Sequence, residues 1–538
     1  MIDFAVFPPS RADPPSFTGA ALQQDRWNDY SFLTQYHLYL NLPEFEGRVG
    51  AVKILRKGQT KADDLQLPVG ALKPLNERYV SLGQDLDYYE RLASLPEKLR
   101  SEILTFLRDA LAYPEHAEAF MEEEGWAVSV LRDIDWESFQ RDAKVVLDRD
   151  YDRVARLGLE VSFQMAGWAD ALKLSFDAPS HHLYWGNEGT ALPDRVAVLI
   201  GQNASGKSTL LARLARVLHA SQRERKSEHL QRLGTIEPPG IGFTRVVNLA
   251  YSAFDAFQLP GADWRERQQI SEEMSRGTGR YHYCGLRDIA AEARRADGVG
   301  DIDGMPIQPL GLDRQESVLL KTSDQLSDEF GAIVSRISES GRYDLFERVC
   351  KILASDASFA DLGENPAVTI SSDSIRLFRS WSTGHKIVMH AVVSLVAYTE
   401  PKSIVLFDEP ETHLHPPLLA SFMHAVRAVL RHNDAFAVVA THSPVVVQET
   451  LAQHVAIVRR VGGETHIHHP NIETYGESIG EITNEIFGLT ADTTDFHTTL
   501  DKLVESGLGL EGIESLFEEG LSIQARAFVM TRIAEIDG

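Results

Sequence analysis

Val196-Ala197-Val198-Leu199-Ile200-Gly201-Gln202-Asn203-Ala204-Ser205-Gly206-Lys207-Ser208-Thr209 is an apolar run that breaks into glycine and then into a helix. Five successive apolar residues read as a buried strand, and the nine that follow fit G-x-x-x-x-G-K-[ST] between that strand and the helix opening at Lys207. The glycines let successive backbone N–H groups face a phosphate, and the helix N-terminus adds the positive end of its dipole. Lys207 is placed to bridge the β- and γ-phosphates, and Ser208 to offer a hydroxyl to Mg²⁺. The expected ligands are therefore ATP and Mg²⁺, held by Gly201, Asn203, Ala204, Ser205, Gly206, Lys207, Ser208 and Thr209.

Two further apolar strands end in groups that suit the same chemistry. Ser403 to Phe407 runs into Asp408-Glu409-Pro410, two carboxylates at a strand end. Asp408 is expected to hold the metal's water shell, and Glu409 to orient or deprotonate the attacking water. Ala435 to Ala440 ends in Thr441-His442-Ser443-Pro444, which puts the His442 imidazole where it can sense a γ-phosphate.

Composition bounds the alternatives. Of 538 residues, 43% are hydrophobic and 24% charged, a globular balance in a chain long enough for more than one core. No run of about 18 uncharged apolar residues occurs, so a membrane span is not expected. Met1 to Asp13 carries prolines and Asp3 where a secretory signal needs a basic start, so a cytoplasmic location is expected. Cys284 and Cys350 are too few for a disulfide framework and read as buried small residues. A net charge of −25 argues against a chain that coats nucleic acid unaided, while leaving room for a local basic groove. The densest basic segment, Arg213 to Arg232, reads equally as a solvated helical face.

Trp381-Ser382-Thr383-Gly384-His385-Lys386 opens a helical run, and Lys386 lies 22 positions before Asp408. Here the sequence resembles the ABC-type ATPases, whose signature loop places a Ser and a Gly at the start of a helix before the acidic strand. The resemblance implies that Ser382 and Gly384 act across a homodimer or higher oligomer, on ATP held by the partner's phosphate loop. It also implies a Q-loop near Asn248 to Gln258 that couples nucleotide and metal to a partner, with Gln258 as its expected residue. His385 stands where a Gln or Glu is usual. Asp408 to Pro416, with Asp-Glu-Pro-Glu and Leu414-His415-Pro416, resembles the branch containing SMC, RecF and OLD-type ATPases. Tyr251 to Asp255, Tyr283 to Arg287 and Ser382 to Val388 resemble the Septu and retron-linked ATPases of bacterial anti-phage systems.

The resulting expectation is an α/β chain with an ABC-type P-loop ATPase core, a helical insertion and an N-terminal α+β accessory domain. The divisions are 1–150 (accessory), 151–261 (first core part), 262–365 (mostly helical insertion), 366–460 (second core part) and 461–538 (C-terminal helices). In the first, Tyr36 to Leu42 and Arg48 to Leu55 read as strands, and Leu82 to Ala112 as amphipathic helices joined near Pro96. The run Trp27-Asn28-Asp29-Tyr30 reads as aromatic packing. In the insertion, Gly and Asp cluster at 298–304. In the last, Leu503, Leu508, Leu510, Ile513 and Phe517 read as packing positions, and His466, His468 and His469 as an exposed strand face.

An OLD-type Toprim nuclease needs several hundred residues beyond the histidine strand, and 96 follow His442. The resemblance thus implies an ATP-hydrolysing regulatory subunit of an anti-phage complex, which controls a separate HNH-type nuclease or works beside a retron reverse transcriptase and its DNA. DNA contact would come through that complex, and no membrane partner is implied. The rival is a RecF- or SMC-like repair or chromosome-maintenance ATPase acting directly on DNA.

Overall fold

The computed structural model describes residues 2–10, 13–150, 159–177, 192–261, 264–298, 313–315, 318–487 and 495–537. Toward the N-terminus, β1 (Phe4–Phe7), β2 (Gly19–Gln24), β3 (Gln35–Leu42), β4 (Phe45–Arg56), β5 (Gly70–Leu72) and β6 (Tyr79–Gly83) form one sheet in the order β5-β1-β2-β3-β4-β6. The two strands read from the sequence are β3 and β4, and Leu38, Leu40, Val52 and Ile54 enter a core shared with Tyr88, Leu92 and Leu107. The first amphipathic helix begins at Leu86, later than the pattern from Leu82 suggests. Asp85 caps it by accepting from Tyr88 N at 2.6 Å, while Leu82 still belongs to β6. The second helix, Glu97–Leu107, starts directly after Pro96, where the missing N–H costs nothing.

Downstream come β7 (Glu160–Met165), β8 (Leu172–Ser175), β9 (Val196–Ile200), β10 (Gly234–Glu237), β11 (Val246–Ala250), β12 (Tyr281–Gly285), β13 (Ile404–Asp408), β14 (Phe436–Thr441), β15 (Val455–Val461) and β16 (Glu464–His468). The order β10-β7-β8 makes a small antiparallel sheet, and β12-β11-β13-β14-β9-β15-β16 makes the core sheet. Neighbours in the core sheet are parallel except the β15–β16 hairpin. Because side chains alternate along a strand, Val198, Ile200, Val405, Phe407 and Val439 face the helices Thr383–Tyr398 and Pro416–His432. Ala197, Leu199, Leu406, Val438 and Ala440 face the helix Lys207–His219 and the small sheet. Apolar cover on both faces is what a parallel sheet needs, and it explains the near-continuous apolar strands.

Residues 262–365 carry the helices Trp264–Arg276, Ser323–Glu339 and Tyr343–Leu353, and also β12, which pairs in parallel with β11. Of the Gly and Asp cluster, residues 299–304 lie outside the described residues. Cys284 and Cys350 are buried, and burial pushes the Cys284 thiol up to about 12. Near the C-terminus Leu503, Leu510 and Ile513 pack with Leu500, Val504 and Val529. Leu508 and Phe517, expected to pack with them, are exposed instead, because each sits in a turn after a helix rather than on its buried face. No described helix is long and apolar enough to cross a membrane.

Ionic contacts join the N-terminal sheet and helices to the core. Arg280, just before β12, donates to Asp87 Oδ2 at 3.0 Å and to Phe243 O at 2.9 Å. Arg91 pairs with Glu273 at 2.5 Å, and Lys402 with Asp142 at 2.8 Å. Burial alone would raise the Asp87 pKa, but Arg280 and His219 hold it well below the usual carboxylate range. A depressed folded-state pKa contributes stability at neutral pH that is lost as pH falls below about 4. Arg280→Ala should cost about 3–5 kcal/mol at pH 7 by leaving Asp87 buried without its guanidinium partner. Urea titration should show that loss, and Arg280→Met with Asp87→Leu should recover part of it.

Candidate active site

The register of the core sheet sets the site. Ala250 pairs with Asp408, Asp408 with Ala440, and Thr441 with Ile200, so four strands end along one edge. The loop after β9 and the acids after β13 therefore meet, although far apart in sequence. Ser208 Oγ donates to Asp408 Oδ1 at 3.1 Å. Lys207 is buried, and its Nζ donates to Gly201 O at 2.9 Å and Gln202 O at 3.1 Å. Gly201 is obligatory here, because a Cβ would lie 2.2 Å from Val458 O on β15. Ala204 and Gly206 take positive φ angles of 63° and 99°, which fold the loop around the start of the helix.

Burial pushes the Asp408 carboxyl up to about 7, and the nearby charges of Glu409 and Asp255 add to the effect against the Ser208 hydrogen bond and Lys207. Desolvation likewise lowers the Lys207 pKa, opposed by Asp408, Glu409 and Glu411. These groups fit Mg²⁺ and ATP: a hydroxyl and a buried carboxylate suit a hard dication, and Lys207 rests on its own loop's carbonyls, free to transfer to phosphate oxygens. Glu409 has φ 49°, so its side chain leaves the strand end in a different direction from that of Asp408. His442 Nδ1 lies 3.8 Å from Glu409 Oε1 and 3.2 Å from Glu411 Oε1, and His442 N donates to Glu411 Oε1 at 2.7 Å.

The structure thus gathers Lys207, Ser208, Asp408, Glu409 and His442, and adds Glu411, Asp255 and Trp168. Glu411 was visible as the second acid of Asp-Glu-Pro-Glu, but its hold on His442 depends on how the chain turns after Glu409. Asp255 accepts from Tyr283 OH at 2.9 Å and from Phe257 N at 3.1 Å, while Arg287 stands 3.6 Å away. Gln258 is directed elsewhere: its Nε2 donates to Arg314 O at 3.3 Å. Trp168, on the turn between β7 and β8, approaches the phosphate loop so closely that a Cβ at Gly206 would be 3.0 Å from its ring. Ser382 caps the helix Thr383–Tyr398, accepting from His385 N at 3.4 Å, and Gly384 lies against His413, whose O would be 2.8 Å from a Cβ there. These contacts keep the Ser382 loop beside the turn after β13. His466 pairs with Asp170 at 3.2 Å, His469 bonds Val455 O, and no metal-holding cluster occurs among the described residues.

Residues 324–448 match the family described as "AAA domain, putative AbiEii toxin, Type IV TA system". Over 527 residues the chain is 28% identical to Protein ea59 of Escherichia phage lambda, covering 96% of this chain and 95% of that protein. Solved structures similar to it include an ATP-binding cassette of an ABC transporter in its ADP conformation, at 10% identity and TM-score 0.27, covering 61% of this chain and 94% of the cassette. UvrA2 from Deinococcus radiodurans is similar at 12% identity and TM-score 0.23, covering 60% of this chain and 39% of UvrA2. The core is a mixed α/β fold whose main sheet is parallel but for one hairpin, with the Gly201–Thr209 loop at the carboxyl end of β9.

A carboxyl whose folded-state pKa is raised weakens the fold as pH rises from about 4 to 7. Asp408→Asn should therefore raise the melting temperature of the nucleotide-free chain at pH 8, with the gain shrinking toward pH 5. An equal gain at both pH values would show that Asp408 titrates as an ordinary surface acid.

Proposed function

We propose that this chain binds and hydrolyses ATP with Mg²⁺ at the edge formed by Ile200, Asp408 and Thr441. The observation that carries this reading is the Ser208–Asp408 hydrogen bond beside the Glu409–His442 pair, a hydroxyl and carboxylate of the kind a metal needs next to a carboxylate and imidazole at adjoining strand ends. When bound, Mg²⁺ would neutralise charge on the β- and γ-phosphate oxygens. Lys207 and the amides of Gly201, Asn203, Ala204, Ser205, Gly206 and Thr209 hold the phosphates, and Trp168 offers a flat face to the base. Glu409 takes a proton from the attacking water, while His442, steadied by Glu411, marks the γ-phosphate.

The site is completed in this reading by a second chain, whose Ser382 and Gly384 close over the γ-phosphate. The assembly serves as the regulatory ATPase of an anti-phage system and governs a separately encoded nuclease. A full-length relative encoded by a phage and a family description that names a toxin–antitoxin system both support a role in genetic conflict. The net charge of −25 disfavours a chain that coats DNA unaided.

Lys207→Ala should abolish ATP binding. Glu409→Gln should keep binding, trap an ATP-loaded dimer and slow hydrolysis by about 10²- to 10⁴-fold. Steady-state hydrolysis and light scattering measure both, and near-normal turnover by Glu409→Gln would remove its role as base. Inactive Lys207→Ala and Ser382→Arg chains should regain part of their hydrolysis when mixed, whereas a site within one chain regains none.

The pure chain should hydrolyse ATP yet leave plasmid and single-stranded DNA uncut in Mg²⁺ or Mn²⁺. Cleavage that survives Lys207→Ala and follows the protein through purification would overturn the assignment of cutting to a partner. Strong DNA stimulation of hydrolysis in the pure chain would favour a repair or chromosome-maintenance role instead.

A further inference from the structure

Trp27-Asn28-Asp29-Tyr30 does not form the aromatic packing expected of it, since both rings are exposed. Asp29 N donates to Phe32 O at 3.1 Å and Phe32 N to Asp29 O at 3.0 Å, closing a tight turn whose two central residues are Tyr30 at φ 51° and Ser31 at φ 77°. A turn with two left-handed central residues ordinarily takes Asn-Gly or Gly-Gly, and a bulky ring there is strained. The turn is held from below. Asp29, fully buried, pairs with Lys53 Nζ at 2.7 Å and Arg132 Nη1 at 2.7 Å, and accepts from Ser129 Oγ at 3.1 Å and Trp27 Nε1 at 3.0 Å.

That anchoring fixes two exposed rings in place, Tyr30 at 68% and Trp27 at 48% exposure. A guanidinium lies over each: Arg132 is 4.8 Å from the Tyr30 centroid and Arg223 is 4.9 Å from that of Trp27. Arg223 reaches across from the helix Gln222–Arg225 and also donates to Gln35 Oε1 at 2.9 Å. The basic segment around it is a solvated face only in part: Arg225 is spent on the carbonyls of Val217, Leu218, Pro239 and Ile241 and Arg213 on Asp313, while Lys226 and Arg232 are exposed. The charges gathered at the turn are Lys53, Arg132, Arg223 and Lys226 against Asp29 and Asp133. Beside them Asp25 Oδ2 lies 3.0 Å from His37 Nε2, and Arg26 pairs with Asp64. With the buried Lys53–Asp29 pair set aside, Arg132, Arg223 and Lys226 stand against Asp25 and Asp133, which leaves one positive charge in excess among these groups on a chain of net charge −25.

Exposed rings set among guanidiniums match a polyanion that carries flat bases. We propose that Trp27 and Tyr30, with Arg132 and Arg223, form a docking surface for single-stranded nucleic acid, the rings stacking on bases and the guanidiniums meeting phosphates. This goes beyond the ATPase reading and needs no nucleotide. It also accounts for a strained Tyr where Asn or Gly would be easier.

The test is fluorescence anisotropy of a labelled oligothymidylate of about twenty nucleotides with the full-length chain, without ATP, over a salt series. Trp27→Ala should weaken binding roughly tenfold, and Arg223→Ala should flatten the log–log salt slope by about 0.7. Tyr30→Asn separates function from folding: Asn accepts the left-handed angle, so the melting temperature should not fall, while binding weakens severalfold. Absence of oligonucleotide binding by the native chain, or unchanged affinity in both Trp27→Ala and Tyr30→Asn, would overturn the proposal. So would dissociation of an oligomer by Trp27→Ala in sedimentation, which would assign the patch to a second copy of the chain.

Discussion

The hydrogen bond from Ser208 to Asp408 joins positions 200 residues apart, and the core is arranged so that it can form. It needs β9 and β13 to run parallel on either side of β14, with matched ends. Parallel strands need cover on both faces, which the helices Thr383–Tyr398 and Pro416–His432 supply on one side and Lys207–His219 supplies on the other. The same burial makes Asp408 a costly carboxylate without a cation, and Ala204 and Glu409 sit at positive φ beside it. Strain and unmatched charge concentrate where ligand would relieve them.

The N-terminal sheet is tied to this edge by a contiguous series of contacts. Asp87 holds Arg280, Arg280 leads into β12, and Tyr283 on β12 holds Asp255, whose charge is felt at Asp408. Arg287, almost completely buried, secures the same strand to Phe257 O at 2.7 Å and to Glu292 at 2.7 Å.

Much of the core was legible because its signals are local. The phosphate loop, the acid pair after β13 and the histidine after β14 are each a strand followed by a short polar motif, and each sits where the register brings strand ends together. Leu508, Phe517 and the Trp27 turn were misread for the converse reason. Their composition is apolar or aromatic, but their exposure depends on turns set by neighbouring Gly507 and by the buried Asp29. The choice of Gln258 failed to anticipate Asp255, since both residues follow one strand and only the path of the chain decides which faces Asp408.

The amino-acid sequence by itself determined the α/β core, its glycine-rich loop, and the acids and histidine that end its strands. Hydrophobic periodicity and glycine spacing act within a few residues of where they are written, so they can be read in one dimension. The tertiary structure alone decided that Glu411 steadies His442, that Trp168 borders the phosphate loop, and that Arg223 crosses to Trp27. Each of those contacts joins residues from different elements, and its distance is fixed by strand register and helix packing, which no single stretch of sequence contains.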